Sequence, residues 1–344
     1  MIDPEKLRKQ IDEVWAALSH KSDSEGQGVM RACALTLIAV IDDDDNSGGV
    51  TETLAQLMPE HPSRAIVIRL APDGRDLLEA DVEAQCWMPF GGRQQICCEQ
   101  IVIRCSEQTL GEVPGVVLPL LVADLPAVLW CASRRAWQSE SFPLLAGMTQ
   151  RVILDTFRFP VPAKALEALM AQLAAPGALV SDLSWTRLTR WRALVAQVFE
   201  NEHCRRQIPY LRDLTIYYEG ASMPPTALLM AGWVAQALGW DPKGGAGLHF
   251  RRSGKQDAGP RMTAVELQSE RDPAMLLWIG RSAPAFGEVR LETAGLEPVM
   301  NRVALPPSND LLLLEEELAI QAPDPIFERS LGWASRIART LFEP

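Results

Sequence analysis

The stretch that decides the fold reads MRACALTLIAVIDDDDNSGGVTETLAQLMPEHPSRAIVIRL and spans residues 30–70. Residues 30–41 form a continuous apolar run of strand length, which is typical of a strand covered on both faces. Residues 51–58 predict a helix that ends before Pro59. Residues 64–70 then predict a second buried strand. Strand, helix and strand in this order indicate a βαβ crossover and therefore an α/β fold.

The sequence after this unit predicts further strands and helices. Residues 80–86 alternate apolar and polar side chains, which indicates a half-solvated strand, and residues 95–105 are its expected antiparallel neighbour. Residues 157–162, FRFPVP, interrupt the pattern and are our candidate domain boundary, with residues 200–210 as the alternative. Later runs at 262–269, 274–280, 287–293 and 299–305 are joined by short links, which favours an antiparallel meander.

The predicted fold class is α/β (mixed α+β), with two tandem α/β domains, mixed and antiparallel sheets, and a helix at each terminus. The predicted domains are an N-terminal helix and loop at 1–28, an N-terminal α/β domain at 29–157, and a C-terminal α/β domain at 158–344. Two patterns predict the terminal helices. One is the apolar spacing in residues 4–19, and the other is the Asp324-Pro325 pair at the start of the last helix.

Composition restricts the class of protein. The chain has 344 residues, is 47% hydrophobic and carries a formal net charge of -11. Such a chain can bury a core, and its negative charge disfavours nonspecific binding to nucleic acid or anionic lipid. The N-terminus is charged, and no apolar run approaches the ~20 residues that span a bilayer. We therefore expect a cytoplasmic protein with neither a nucleic-acid nor a membrane partner.

The chain contains seven cysteines, an odd number without a CxxC pair. Most lie inside apolar runs, so we interpret them as reduced, buried side chains that pack as small apolar residues. A redox role for one pair remains the alternative. They are Cys33, Cys86, Cys97, Cys98, Cys105, Cys131 and Cys204.

No catalytic constellation is recognisable in the sequence. It lacks GxGxxG after a strand, GxxxxGK[ST], HExxH and GxSxG, and its four histidines are scattered. The acidic run at 42–45 follows a strand and could hold Mg²⁺, although a solvated acidic turn is the favoured interpretation. We therefore predict no catalytic residue, no metal and no cofactor.

The segment 243–255, KGGAGLHFRRSGK, combines glycines with cationic side chains. Such a loop can present backbone N–H groups to an anion, so Lys243, Arg251, Arg252 and Lys255 are candidate anion-binding residues. A flexible basic hairpin is the structural alternative. This loop supports a second function class, a sugar-phosphate-binding sensor or enzyme.

Tryptophan and arginine recur together, as in the segment TRWR, and these residue types are enriched at protein–protein hot spots. Four segments follow one another in an order and spacing that resemble the OpcA family of glucose-6-phosphate dehydrogenase assembly proteins. They are HPSRA at 61–65, VLPLLVADLPAVLW at 117–130, DLSWTRLTRWR at 182–192, and LLMAGW at 228–233 with LGW at 238–240. The resemblance covers roughly residues 30 to 305.

The resemblance implies a protein that has no catalysis of its own. Such a protein would bind glucose-6-phosphate dehydrogenase, favour its active oligomer and raise its activity as an allosteric activator in the oxidative pentose phosphate pathway. The residues that we expect to contact the enzyme are His61, Arg64, Asp182, Trp185, Arg187, Arg190, Trp191 and Arg192. The sequence makes no prediction about the chain's own oligomeric state.

Overall fold

A computed structural model describes residues 2–25, 28–43, 47–72, 76–89, 94–159, 161–175, 177, 179–240, 247–254, 259–269 and 274–342. The chain divides into two compact units. Unit 1 comprises Met1–Arg158, Ala175–Ser181 and Asp310–Gln321, and unit 2 comprises Phe159–Ala174, Asp182–Asn309 and Ala322–Pro344. The division after residue 158 falls beside the bound predicted at 157, whereas residues 310–321 return to unit 1. The predicted domain bounds themselves stay a prediction.

Unit 1 is built on one sheet in which the described strands follow the order β1-β5-β3-β2-β6-β7-β8, with β4 paired to β5. The strands are β1 (Gly28–Arg31), β2 (Leu35–Asp42), β3 (Ser63–Leu70), β4 (Leu78–Trp87), β5 (Gln94–Cys105), β6 (Ala127–Cys131), β7 (Arg151–Leu154) and β8 (Leu179–Asp182). The helices are α1 (Pro4–Glu25), α2 (Ser47–Leu57), α3 (Val113–Val117), α4 (Arg134–Trp137), α5 (Phe142–Gly147) and α11 (Asp310–Ala319).

The apolar pattern explains the centre of this sheet. Strands β2 and β3 are buried almost throughout, pair in parallel, and are joined through α2, so the βαβ crossover is confirmed. Strand β4 keeps its alternation of half-buried and exposed side chains and pairs antiparallel with β5, as predicted.

The predicted single strand at 30–41 is wrong in its extent. The chain forms β1 and β2 separately, since β1 pairs with the start of β5 while β2 pairs with β3 and β6. The first half of the run contains Arg31, whose guanidinium bonds the buried carboxylate of Glu99 on β5. That contact favours the pairing of β1 with β5, whereas β2 pairs with β3 and β6.

Helix α11 belongs to unit 1 although it lies close to the C-terminus. Its Glu317 is 3% exposed and forms an ion pair with Arg151 on β7. Asp310, at the start of the helix, accepts a hydrogen bond on its Oδ2 from Arg158 Nη2 at 2.8 Å. Removing Arg151 would take away the ion-pair partner of a buried charge, which is strongly destabilising.

Unit 2 contains a second sheet with the order β10-β9-β11-β12-β13-β14. Strands β11 to β14 form the predicted antiparallel meander, and β10 adds a parallel edge beside β9. The strands are β9 (Leu211–Glu219), β10 (Gly247–Arg252), β11 (Arg261–Ser269), β12 (Leu276–Ala283), β13 (Phe286–Glu292) and β14 (Val299–Ala304). The helices are α6 (Pro162–Ala174), α7 (Leu183–Thr186), α8 (Thr189–Val198), α9 (Glu202–Arg205), α10 (Pro225–Leu238) and α12 (Pro325–Phe342).

Helix α10 is apolar on nearly all sides because it packs both on the sheet and on α12. It starts at Pro225 and ends at Gly239, whose φ of 65° is the left-handed conformation that favours glycine at a helix C-terminus. A Cβ built at Gly232 would lie 2.4 Å from the Ser330 carbonyl oxygen and 2.7 Å from the Ala334 nitrogen. Glycine at 232 therefore lets α10 and α12 approach closely.

The predicted fold class is confirmed: both units are α/β, their sheets are mixed, and a helix lies at each terminus.

Candidate functional site

The carboxyl edge of the unit 1 sheet contains a topological switch point. Strand β2 has parallel neighbours on both sides, β3 and β6, and the chain reaches β3 first and β6 much later. Parallel sheets place ligands at such a point, outside the carboxyl ends of the strands. This edge is therefore where an active site would be expected.

Ion pairs within the chain occupy that edge. Asp42, at the end of β2, accepts hydrogen bonds from Ser133 Oγ at 2.6 Å and Arg135 Nε at 2.9 Å. The Arg135 guanidinium also donates to the Leu70 carbonyl oxygen at 2.8 Å, which joins the ends of β2, β3 and β6. The arrangement holds the loops together and presents carboxylates at the position where a dinucleotide needs free N–H donors.

The acidic run after β2 is only partly described. Asp43 lies 3.9 Å from an Arg69 nitrogen, and Asp44 and Asp45 lie outside the described residues. Within the described ranges, no group of three or more His, Cys, Asp or Glu side chains could hold a metal ion. The predicted absence of a metal stays a prediction.

The segment around His61 and Arg64 holds part of the unit 1 interior together. Arg64 Nη1 donates to the Leu120 carbonyl oxygen at 2.7 Å, and its Nη2 lies 3.4 Å from Glu99 Oε1. Glu99 is 1% exposed and also accepts a hydrogen bond from Trp15 Nε1 at 3.0 Å. Arg64 thus connects two of the recognised segments, whereas His61 is half-buried at the surface.

The segment 182–192 lies in unit 2 and is mostly interior. Asp182 is fully buried and its carboxylate caps α7 by accepting from Ser184 N at 3.1 Å. Trp185 is 4% exposed, and its Nε1 donates to Asp324 Oδ2 at 2.9 Å. Asp324 in turn caps α12, so this tryptophan links the segment to the N-terminus of the last helix.

The remaining residues of this segment divide between interior and surface. Trp191 is 4% exposed, and the Arg192 guanidinium lies 3.6 Å from the centre of the Trp185 ring. Asp182, Trp185 and Trp191 of this segment therefore serve internal packing, whereas Arg187 and Arg192 are half-buried and Arg190 is exposed. Their role in binding a partner stays a prediction.

The predicted anion loop is described only in part. Lys243 and Lys255 lie outside the described residues, whereas Arg251 and Arg252 are exposed on β10. Neighbouring residues of a strand point to opposite faces, so these two guanidiniums do not converge on one anion. Arg251 is in register with Tyr217 of β9, and Arg252 donates to the Ala221 carbonyl oxygen at 2.9 Å.

A groove of about 610 Å³ lies on the face of the unit 2 sheet that carries Tyr217. We call it the sheet groove; its lining includes Tyr217, Glu219, Ser253, Arg261, Thr263, Trp278, Arg281 and Ser282. The groove was not predicted from the sequence, although the meander and its Trp278 were both recognisable. The missing step was to combine strand alternation with register, which brings β9, β11 and β12 side by side.

Most groups in the groove have internal partners. Arg261 forms an ion pair with Glu219, Tyr217 Oη donates to Glu266 Oε2 at 3.2 Å, and Ser253 Oγ lies 2.8 Å from Thr263 Oγ1. Burial raises the pKa of Tyr217, and the neighbouring Glu266 carboxylate acts in the same direction. The phenol therefore stays protonated at neutral pH and keeps its hydrogen bond to Glu266.

The cysteines differ from the interpretation given above in one respect. Cys86 and Cys97 face each other in the antiparallel pair β4–β5, with Cα atoms 4.1 Å apart, and form a disulfide. The interpretation as reduced cysteines is wrong for this pair. Four of the other five cysteines are buried thiols, and burial raises the pKa of both Cys105 and Cys131 to about 12.

Two family models match the chain. Residues 55–171 match the glucose-6-phosphate dehydrogenase subunit N-terminal domain, and residues 178–331 match the C-terminal domain of the same subunit. No helix within the described ranges is both long and apolar enough to cross a membrane.

Several proteins named OxPP cycle protein OpcA are similar in sequence. The one from Nostoc punctiforme is 30% identical over 183 residues, which is 53% of this chain and 39% of that protein. The one from Synechococcus elongatus is 27% identical over 278 residues, 78% of this chain and 57% of that protein. The chain thus spans only about two fifths to three fifths of the length of these relatives.

Among solved structures, a 3-ketoreductase from Actinomadura kijaniata covers 89% of this chain and 96% of its own. The sequence identity is 12% and the TM-score is 0.49.

Proposed function

The chain belongs to the OpcA family, and from this premise we propose that it binds glucose-6-phosphate dehydrogenase in the oxidative pentose phosphate pathway and favours the enzyme's active oligomer. One observation carries the proposal. The two family models, both described as domains of a glucose-6-phosphate dehydrogenase subunit, follow one another along residues 55–331. The named relatives support the same pathway through their printed name, OxPP cycle protein.

Activation by binding needs only a modest difference in affinity. A partner that binds the active form of an enzyme more tightly than the inactive form shifts the population towards the active form. A tenfold shift requires about 1.4 kcal/mol of differential binding free energy. A single surface of ordinary size supplies this easily, so no group on this chain has to enter the enzyme's active site.

The geometry of unit 1 supports a role without catalysis. Its switch point presents Asp42 and Asp43 after β2, and their partners are Arg135 and Arg69 of the same chain. A nucleotide pyrophosphate at this point would lie against carboxylates whose arginine partners are already engaged, and the sequence there lacks the GxGxxG pattern. This argues against binding a nicotinamide cofactor in the usual position.

The docking surface that we propose includes the solvent-facing part of the 182–192 segment. The buried tryptophans fix helices α7 and α8, and Arg190 projects from the exposed side of α8. Exposed charges at the edge of an interface chiefly alter the association rate and its dependence on salt. Reversing the charge of Arg190 should therefore weaken binding without disturbing the fold.

The experiment is a titration of purified glucose-6-phosphate dehydrogenase with this chain, monitored by NADPH formation and by sedimentation velocity. The wild-type chain should raise activity and enlarge the sedimenting species. Arg190→Glu should need about fivefold more chain for half of the effect, the fold-change expected from about 1 kcal/mol at an exposed charge.

The matched control is Arg339→Glu on α12 of the same unit. Arg339 is exposed, and its ion pair with Glu167 at 3.9 Å is a surface pair of little energy, so this variant should bind the enzyme as wild type does. The chain alone, given glucose 6-phosphate and NADP⁺, should form no NADPH. An enzyme whose activity, size and substrate affinity are unchanged at a large excess of the chain would refute the proposed function.

A further inference from the structure

The sheet groove of unit 2 contains one guanidinium without a carboxylate partner. Arg281 Nη1 donates to the Pro284 carbonyl oxygen at 2.8 Å and to the Leu305 carbonyl oxygen at 2.6 Å. Among the residues that the structure describes, no carboxylate lies within ion-pair distance of it. The two carbonyl bonds hold the cation in place and leave its other N–H donors available to an anion.

The surroundings of Arg281 favour the arrival of negative charge. Burial lowers the pKa of its guanidinium, and the nearby positive charge of Arg261 acts in the same direction. The cation is therefore partly desolvated without a compensating charge. An anion bound here would supply that compensation, and planar guanidiniums bind phosphate and carboxylate oxygens in pairs.

An aromatic surface lies beside this cation. A Cβ at Gly280 would lie 2.2 Å from two atoms of the six-membered ring of Trp278, so the indole occupies the space that glycine leaves open. The Arg290 guanidinium lies 4.8 Å from the ring centre. A ring placed in this way offers an apolar surface on which the C–H groups of a ligand can pack.

Much of the remaining lining is polar. Ser253, Thr263, Ser282 and Tyr217 carry hydroxyls, and Glu219 supplies a carboxylate. The hydroxyl oxygens keep lone pairs and the carboxylate accepts, so the lining can accept hydrogen bonds from a ligand with several hydroxyl groups. The volume of about 610 Å³ lies within the range of small-molecule sites, which is about 300–1,000 Å³.

We propose that the sheet groove binds the phosphate ester of a sugar or a similar polyol, with Arg281 on the phosphate and Trp278 against the carbon skeleton. The hydroxyl side chains and Glu219 bind the hydroxyls of the polyol. This site uses residues of β9, β11 and β12 and is separate from the docking segment at 182–192. It is independent of the proposed function, since it requires no second protein.

The test is isothermal titration calorimetry of the full chain with glucose 6-phosphate, ribose 5-phosphate, glucose and inorganic phosphate as separate probes. At least one of the sugar phosphates should bind, and more tightly than glucose or phosphate alone. Arg281→Met should weaken that binding about tenfold or more, because it removes charged hydrogen bonds. Gly280→Ala should weaken it by displacing the Trp278 ring while leaving Arg281 in place.

The matched control is Arg212→Met. Arg212 also donates to two backbone carbonyls in unit 2, at 3.0 and 2.8 Å, and it does not line the groove. If Arg281→Met unfolds the chain, Arg281→Lys and Gly280→Ala still provide the test. Three outcomes would overturn the proposal. Either no sugar phosphate binds at millimolar concentration, or inorganic phosphate binds as tightly as its esters, or the groove variants still bind the sugar phosphates and lose only their binding to glucose-6-phosphate dehydrogenase.

Discussion

Replacing Gly232 with alanine tests the close contact between α10 and α12. The added Cβ would lie 2.4 Å from the Ser330 carbonyl oxygen, 2.7 Å from the Ala334 nitrogen and 2.9 Å from the Ala334 Cβ. All three are well inside ordinary contact distance, and two of them are backbone atoms that cannot move alone. One helix must therefore shift, and overpacking of this kind costs about 1–3 kcal/mol.

The chain offers a matched control on the other helix of the pair. Gly332 lies within α12, and a Cβ built there meets nothing within 4 Å. Alanine at an open helical position gains about 1 kcal/mol over glycine, so Gly332→Ala should stabilise the protein. Alanine has the same helical advantage over glycine at both positions, so any difference in unfolding free energy between the two variants comes from overpacking. Gly232→Ala should therefore be less stable than Gly332→Ala by about 1–3 kcal/mol.

Urea unfolding followed by far-UV circular dichroism measures this difference through the midpoint of the unit 2 transition, with the slope held common. Equal midpoints for the two variants would refute the reasoning, because they would show that α10 and α12 do not approach as closely as described. The result also bears on the segment LLMAGW: the expected destabilisation would show that its glycine is needed for helix packing.

Three further predictions follow from the buried groups. Arg151→Met removes the ion-pair partner of the buried Glu317 carboxylate and should cost about 3–5 kcal/mol in thermal or urea unfolding, whereas Arg206→Met, at an exposed pair, should cost about 0–1 kcal/mol. Trp185→Phe loses a hydrogen bond to a carboxylate and should cost about 1.5–3 kcal/mol in the same assay, with dehydrogenase binding retained if the residue is purely internal. The raised pKa values of Cys105 and Cys131, about 12, keep both as neutral thiols in the folded state; stability should therefore fall as pH rises above the ordinary thiol value of about 8.5, and native-state alkylation at pH 8 that modifies them would contradict this.

The sequence predicted the fold class because its patterns are local. The apolar runs of β2 and β3, the alternation of β4 and the short links of the meander each follow from spacing within one segment. The break between β1 and β2 did not follow, since it depends on the contact of Arg31 with Glu99, far along the chain. The return of α11 to unit 1 likewise depends on an ion pair across 166 residues.

The candidate sites were predicted less well, because residue type does not determine exposure. Trp185 and Trp191 suit a hot spot by composition, yet both are interior, and Asp182 caps a helix end. The disulfide could have been foreseen: the predicted hairpin β4–β5 places Cys86 opposite Cys97 once its register is known. The sheet groove needed the same step, since its lining comes from strands that are distant in sequence.

The return of residues 310–321 to unit 1 affects how the protein is made. A ribosome delivers the chain from the N-terminus, and a domain of consecutive residues can fold as soon as it emerges. Here unit 1 lacks α11, and therefore the partner of Arg151, until residues 310–321 have been synthesised, long after β7. A nascent chain stopped near residue 158 should thus remain open to proteases. A gene cut at that point should yield a first fragment that needs the second one to fold, whereas the second fragment contains all of unit 2.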